Sequence, residues 1–373
     1  MTHPGDSRRL EPESELVKHF PEGRCMIQTR MSKWSQRLSQ FPQFGLTVVI
    51  VVLSVLIGLK AGSHVDRLTG STVNSFFNPG TIFQILTDTS FVAIMATGIA
   101  LVIITGGIDL SVGSTYALSG VLTAMVMRSL GASNWSPALA VGFAFASCTL
   151  IGLVSGFLNG VMVTNLRVHP FVITLGTMWI FRGVAFVASK AESILMPQQV
   201  TDVLKSTLGL QRNLYPLPFL LLVVAVVATS IYLAKTVAGR NIYAVGGNSE
   251  ASHFAGIQVP RVLLGVYALC GLAAGLAAFL GSGFYGAASC SDGQGYELYA
   301  IAAAVVGGVS LLGGRGTALG AALGALLIVL FRQAVVTLHL DSKFEWIIIG
   351  LAIIVAVFLE KLTRGRGGVA ESA

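Results

Sequence analysis

The chain has 373 residues, 54% hydrophobic and 11% charged, with a net charge of +7 and a mean hydropathy of +0.77. A soluble domain carries about a quarter charged residues, so a water-facing enzyme or a nucleic-acid binder is excluded. Apolar runs of about 20 residues recur instead, each long enough to cross a hydrocarbon core of about 30 Å as a helix.

In chain order, residues 1–44 are polar and mixed in charge, with Pro4, Pro12 and Pro21, and read as a mobile cytoplasmic tail. They are too polar for a signal peptide, whose apolar stretch would start sooner. Met31-Ser-Lys-Trp reads like a natural start, which puts part of the tail upstream of the native initiation site. N-terminal sequencing of the native protein that began before Met31 would dispose of that reading. A transmembrane domain follows over 45–360, and 361–373 form a cytoplasmic tail. The expected fold is an all-α polytopic bundle of about ten spans. They run Gly45–Gly62, Ile82–Ile104, Leu110–Met127, Pro137–Leu158 and Phe171–Ala188. The remainder are Tyr215–Ala234, Val262–Phe284, Leu298–Leu312, Thr317–Val336 and Phe344–Leu359. Fifteen Lys and Arg fall on the side of the N-terminus and seven on the other. By the positive-inside bias, both termini are expected in the cytoplasm.

Glycine is abundant, 43 residues against a usual ~7%. Four-residue spacing in Gly152, Gly156 and Gly160, in Gly271 and Gly275, and in Gly316, Gly320 and Gly324 puts each set on one helix face. Backbones can approach closely there; packing is the plain reading and a hinge the other. Gly106-Gly107-Ile-Asp-Leu-Ser-Val-Gly113 also pairs with Gly313-Gly314-Arg-Gly-Thr-Ala-Leu-Gly320 at a constant offset of 207. A parallel internal duplication leaves such a pair, and so does chance in a Gly-rich chain.

The four cysteines, Cys25, Cys148, Cys270 and Cys290, and the six histidines fall at no metal or redox spacing. No lysine follows a glycine, so the phosphate-cradling Gly-Lys-Ser/Thr loop is missing from the sequence. Any ATP is expected to be hydrolysed by a partner, and no cofactor or catalytic set is expected here. Ionisable groups inside the spans are few: Asp88, Asp109 and Arg182. A charge at the bilayer centre costs about 2.5–3.5 kcal/mol, so Asp109 either caps the helix beginning Leu110-Ser111 or lines a cavity at a broken helix.

Within the inner loop 235–261, Asn248 suits an N-cap, Ser249–Ala255 can form two turns, and Gly256 can end them. Ala251, Phe254 and Ala255 give a narrow apolar face beside Glu250 and His253. Such a helix lies on the membrane surface or docks in a groove of a cytoplasmic protein. The outer loop Tyr285–Glu297, with Asp292, Gln294, Tyr296 and Glu297, is either a solvated turn or a mouth that meets substrate or a delivering protein. Tyr116, Trp179, Phe284 and Tyr285 are the aromatic candidates for a sugar face.

Four ordered stretches carry a family resemblance. They are Thr105-Gly-Gly-Ile-Asp-Leu-Ser-Val-Gly113; Gly156-Phe-Leu-Asn-Gly160 through Pro170-Phe-Val-Ile-Thr-Leu-Gly-Thr177; Gly239-Arg-Asn-Ile-Tyr-Ala-Val-Gly-Gly-Asn248 through Ala255-Gly-Ile257; and Gly295-Tyr-Glu-Leu-Tyr-Ala-Ile-Ala-Ala303 through Gly313-Gly-Arg-Gly316. Together they resemble the ribose-type permeases of bacterial ABC importers for monosaccharides and polyols. Tyr299 departs from that pattern, standing where family members often carry Asp. The resemblance implies a multi-pass protein of the bacterial inner membrane working with cytoplasmic ABC ATPases, a periplasmic sugar-binding protein and a second permease protomer, the same or different. It also implies that Asn248, Ser249, Glu250, Ala251, His253, Phe254, Ala255 and Gly256 seat in the ATPase. Asp109, Ser111, Thr177, Tyr296 and Glu297 are the candidates for the translocation path. A branched-chain amino-acid permease is the alternative reading. A self-powered carrier fits less well, given so few intramembrane ionisable groups.

Overall fold

The structure is a computed structural model that describes residues 42–65, 70–166, 168–210 and 214–341, with single positions from 343 to 354. The expected N-terminal tail, 1–44, lies outside the described residues as far as 41, while its last three residues, 42–44, are helical instead; the expected tail 361–373 lies outside the described residues.

Helix α1 (Pro42–Lys60) leads into a short hairpin of β1 (Ser63–Val65) and β2 (Thr72–Asn74). Helix α2 (Pro79–Ile104) starts where Asn78 accepts the Thr81 amide and Pro79 takes a first-turn position that needs no donor. Its residues from Thr89 to Ile104 are all buried, so α2 is the axis of the bundle. Then come α3 (Val112–Ser129), α4 (Pro137–Leu166), α5 (Pro170–Ser189), strand β3 (Ile194–Leu195), α6 (Gln198–Leu204) and α7 (Leu217–Lys235). Two short helices follow, α8 (Val237–Gly247) and α9 (Ser249–Phe254), and then α10 (Val259–Tyr285), strand β4 (Ala287–Ala288), α11 (Tyr296–Val306) and α12 (Ala318–Thr337).

Around α2 pack α10, α12, α11 and α7. The α4–α10 crossing is built on glycine. A methyl on Gly271 would overlap the Gly152 carbonyl and sit 2.6 Å from the Gly156 amide, and one on Gly275 would overlap the Cys148 carbonyl. The four-residue spacing thus does serve backbone-to-backbone contact. The outward faces of α1, α4, α5 and α7 present Val51, Leu56, Leu150, Trp179, Val187 and Val224 uncovered. An apolar belt of that extent matches lipid rather than water.

Seven helices among the described residues, α1, α2, α4, α5, α7, α10 and α12, are long and apolar enough to cross a membrane. The chain is a polytopic helical bundle. Two of the expected spans differ. The third, Leu110–Met127, is α3, which is helical but too polar to qualify, because Ser114, Thr115, Ser119 and Thr123 are buried against protein. The eighth, Leu298–Leu312, is corrected: α11 has 11 residues and stops at Val306. At 1.5 Å per residue it covers about 16 Å, half a hydrocarbon core. Gly308, Gly313 and Gly314 take left-handed backbone at φ 87°, 83° and 73°, which an α-helix cannot continue through. The tenth, Phe344–Leu359, lies largely outside the described residues. Inner loop 235–261 also differs, since it folds into two helices, not one.

The loops alternate between two ends as the span order requires. At one end the Gly314 amide donates to Ile104 O (2.8 Å) and Tyr243 Oη to Gly316 O (2.8 Å). At the other, the Met196 amide donates to Gly286 O (3.0 Å) and Gln199 Nε2 to Ser133 O.

Candidate functional site

Two breaks in the helical framework enter the bundle and meet. The first, 105–111, separates α2 from α3. Gly106 turns the chain at φ 84°, and the Gly107 amide returns to Val102 O at 3.0 Å. Asp109, 1% exposed, accepts from the Ser111 amide (2.8 Å) and hydroxyl (2.7 Å). Asn159 of α4 donates through Nδ2 to the Ser111 hydroxyl at 2.7 Å, and Cys270 of α10 also reaches Asp109. Asp109 is therefore buried among α3, α4 and α10, and it holds the residue that precedes α3. Thr174 and Tyr267 close the ring on the Ile108 carbonyl at 3.2 and 3.4 Å.

The second break, 286–295, separates α10 from α11. Gly286, Gly293 and Gly295 have φ of 77°, 65° and 82°. Arg182 of α5 donates through Nη1 to the Cys290 carbonyl at 2.7 Å and to the Asp292 carbonyl, so two of its five donors tie down the loop backbone. Asp292 Oδ2 takes the Ser289 amide at 2.8 Å. Burial lifts the Asp292 carboxyl above its ordinary range, while the Ser289 amide and Arg182 act in the opposite sense.

The breaks touch at Gly113 and Gly293: a methyl on Gly293 would stand 2.7 Å from Gly113 O. Beside that junction lies a cavity of about 360 Å³ whose lining includes Tyr116, Ser193, Ser291, Asp292, Gln294 and Tyr296. The Tyr116 and Tyr296 rings meet edge to face at 5.7 Å. Two buried acceptors near the breaks, Asn159 Oδ1 and Glu297 Oε2, have no hydrogen-bond partner among the described residues. Such atoms are costly in a dry interior.

Of the expected path residues, Asp109 and Ser111 form the first break, and Tyr296 and Glu297 open α11 at the second. Thr177 sits a turn away from the first break and donates to Thr174 O (3.2 Å), so Thr174 is the α5 residue that touches the break. Among the aromatics, Tyr116 and Tyr285 line the cavity, Trp179 faces outward at 69% exposure, and Phe284 is buried against Phe91 and Tyr215. Asn159, Tyr267 and Thr174 were not singled out from sequence. The available signal for Asn159 was an amide side chain in the interior of a 30-residue apolar helix.

Away from the breaks, α9 stands out from the bundle. Asn248 Oδ1 accepts the Ala251 amide at 2.8 Å. At the other end the Ile257 amide returns to Ser252 O and the Gly256 amide to His253 O, each at 3.0 Å, with Gly256 at φ 84°. These paired bonds close the helix as the capping rules describe. Only Ser252 is buried; Ala251, Phe254 and Ala255 are exposed, Phe254 at 81%.

The family described as "Branched-chain amino acid transport system / permease component" matches residues 81–357. The ribose import permease RbsC of Escherichia coli K12 is 37% identical over 77% of this chain and 87% of its own. The D-allose transport system permease AlsC of the same strain is 34% identical over 77% and 85%. The fructose import permease FrcC of Rhizobium meliloti is 30% identical over 90% of each chain. No solved structure matches significantly. The match over most of the length, the glycine breaks it contains and the relatives that share it place this chain in that permease family, on the side of the ribose-type sugar permeases.

Proposed function

We propose that this chain is the membrane-spanning permease subunit of an ATP-driven importer for a monosaccharide or polyol in a bacterial inner membrane. The observation that carries the reading is α9: a six-residue helix, capped at both ends, whose apolar face is covered by nothing among the described residues. A rigid exposed handle at the end of a bundle suits the groove of a cytoplasmic ATPase. Asn248, Ser249, Glu250, Ala251, His253, Phe254, Ala255 and Gly256 would form that contact. Both termini then lie in the cytoplasm. Counting α3 and the half-length α11 as membrane-embedded passes, with the apolar run 344–359, keeps the number at ten. Sugar delivered by a periplasmic binding protein enters the Tyr116–Tyr296 cavity and passes the acceptors of Glu297, Asn159 and the Asp109–Ser111 break, between two protomers. ATP is hydrolysed by the partner, and no bond to the cargo is made or broken here.

The family's description names amino-acid cargo, whereas the matched relatives are named for sugars. Hydroxyl donors from a sugar fit unpaired acceptors and tyrosine faces better than an aliphatic side chain does. The test is reconstitution with the neighbouring ATPase and binding protein, screening pentoses, hexoses, polyols and branched-chain amino acids for stimulated ATP hydrolysis. Stimulation by one sugar names the cargo; stimulation by leucine alone reverses the cargo, and an ATPase that never co-purifies removes the importer reading.

The cavity gives a separate expectation. Ser291 is exposed at its rim, so Ser291→Cys should react with a membrane-impermeant thiol reagent from outside. Saturating cargo should slow that labelling about tenfold, the occupancy expected when ligand is near 10 Kd. Equal rates with and without cargo would take Ser291 out of the path.

A further inference from the structure

Between the exposed α9 and the two paired glycine segments, Gly106–Gly113 and Gly313–Gly320, lies α8, an 11-residue helix joined to α9 by the single residue Asn248. Asn248 closes α8 through its amide to Ala244 O (3.0 Å) and opens α9 through its side chain, so the two helices share one residue and no slack. The other end of α8 is equally short, since Thr236 follows Lys235 of α7 and takes the Gly239 amide at 2.9 Å.

The α8 surface facing the bundle meets backbone. A methyl on Gly246 would overlap the Ile104 carbonyl and stand 2.7 Å from the Gly314 amide. One on Gly313 would stand 2.6 Å from Gly246 O and 3.2 Å from the Gly106 amide. The Gly314 amide itself donates to Ile104 O at 2.8 Å, and Tyr243 Oη donates to Gly316 O at 2.8 Å. Ile104 is the last residue of α2 before the Asp109 break, and Gly316 precedes the start of α12. One helix thus bears on both halves of the sequence pair Gly106–Gly113 and Gly313–Gly320. Contact through backbone, with no intervening side chain to rotate away, passes displacement without loss.

We propose that α8 is the arm that carries motion of α9 into both glycine segments, Gly106–Gly113 and Gly313–Gly320, together, with Gly246 and Tyr243 as its positioning residues. This rests on the importer reading above. When the ATPase moves α9, Gly246 bears on Ile104 O and the Gly313–Gly314 backbone. The Asp109–Ser111 break and the start of α12 therefore shift as one unit. Gly247 is the built-in control: it adjoins Gly246 in the same helix, yet a methyl there meets nothing within 4 Å.

The experiment uses the full chain reconstituted with its ATPase and binding protein. Sugar uptake and ATP hydrolysis are measured in the same vesicles for wild type, Gly246→Ala, Gly247→Ala and Tyr243→Phe. Gly246→Ala should keep the ATPase bound and hydrolysing while ATP consumed per sugar rises about tenfold. Tyr243→Phe, which deletes one hydrogen bond and little volume, should raise it about threefold. Gly247→Ala should match wild type. An unchanged ratio in Gly246→Ala, or an equal rise in Gly247→Ala, overturns the arm. If Gly246→Ala does not accumulate, Tyr243→Phe decides, and a wild-type ratio there overturns it. Wild-type vesicles without ATP-dependent uptake overturn the importer reading as well; normal wild-type uptake with unaltered variants overturns the arm alone.

Discussion

The double variant Glu250→Arg, Phe254→Asp is expected to abolish uptake while leaving the bundle folded. Phe254 is 81% exposed and Glu250 is exposed on the same short helix, so among the described residues the changes remove only the ring contact of Phe254 with its neighbour His253. Reversing the acidic residue in the first turn of α9 costs about 0.5 kcal/mol of helix stability through the helix dipole, which the caps at Asn248 and Gly256 can absorb. At an interface the same changes are severe. An aromatic anchor at the centre of a contact contributes about 2 kcal/mol or more, and an Asp in its place adds the cost of an unpaired charge. Together they should lower uptake at least about 100-fold and release the ATPase from detergent-extracted complexes. Unaltered thermal unfolding of the permease alone would show that the spans are intact. Normal uptake by this variant would mean that α9 seats nothing and lies on the membrane surface.

Gly271→Val should do the opposite, destroying the fold while touching no ligand. Its added carbons collide with the Gly152 carbonyl and the Gly156 backbone. Those neighbours are main chain, which cannot rotate out of the way as a side chain can. Overpacking of a core typically costs about 1–3 kcal/mol; a backbone-on-backbone crossing of two long helices lies at the upper end of that range or beyond. Little monodisperse protein should survive extraction, and what survives should melt well below wild type. Gly176→Ala and Gly183→Ala are the matched controls, since each glycine has open space at its missing methyl. They should unfold near wild type. A Gly271→Val chain as stable as those controls would mean that α4 and α10 are held apart by something other than the glycine faces.

The contrast between these two variants follows the division between what could and could not be read from residues in order. Asn248 and Gly256 were legible as the ends of a short helix, and Ala251, Phe254 and Ala255 as its apolar face, because capping and i, i+3, i+4 spacing are local. Asp109 and Ser111 were legible because a carboxylate beside two glycines at the end of an apolar run is rare. Asn159, Tyr267 and Thr174 were not singled out, since what makes them matter is the Ile108–Ser111 backbone that other parts of the chain bring to them. Arg182 was noted as an ionisable group inside a span, but not its partners at Cys290 and Asp292, which are more than a hundred positions away. Trp179 was a candidate by residue type, and only the packing of its helix shows that it faces outward.

The sequence by itself determined that this is a polytopic membrane protein, where most of its spans run, and to which permease family it is related. Hydropathy, charge bias and glycine spacing are properties of neighbours along the chain, and lipid reads them directly. Only the tertiary structure decided that Leu298–Leu312 is half a span, that the inner loop folds into two helices, and that the two glycine segments meet through Gly246. A hydropathy window counts apolar residues and is blind to left-handed backbone. The closeness of Ile104, Gly246 and Gly314 comes from packing α2, α8 and the segment before α12 together, a contact between residues that no local pattern relates.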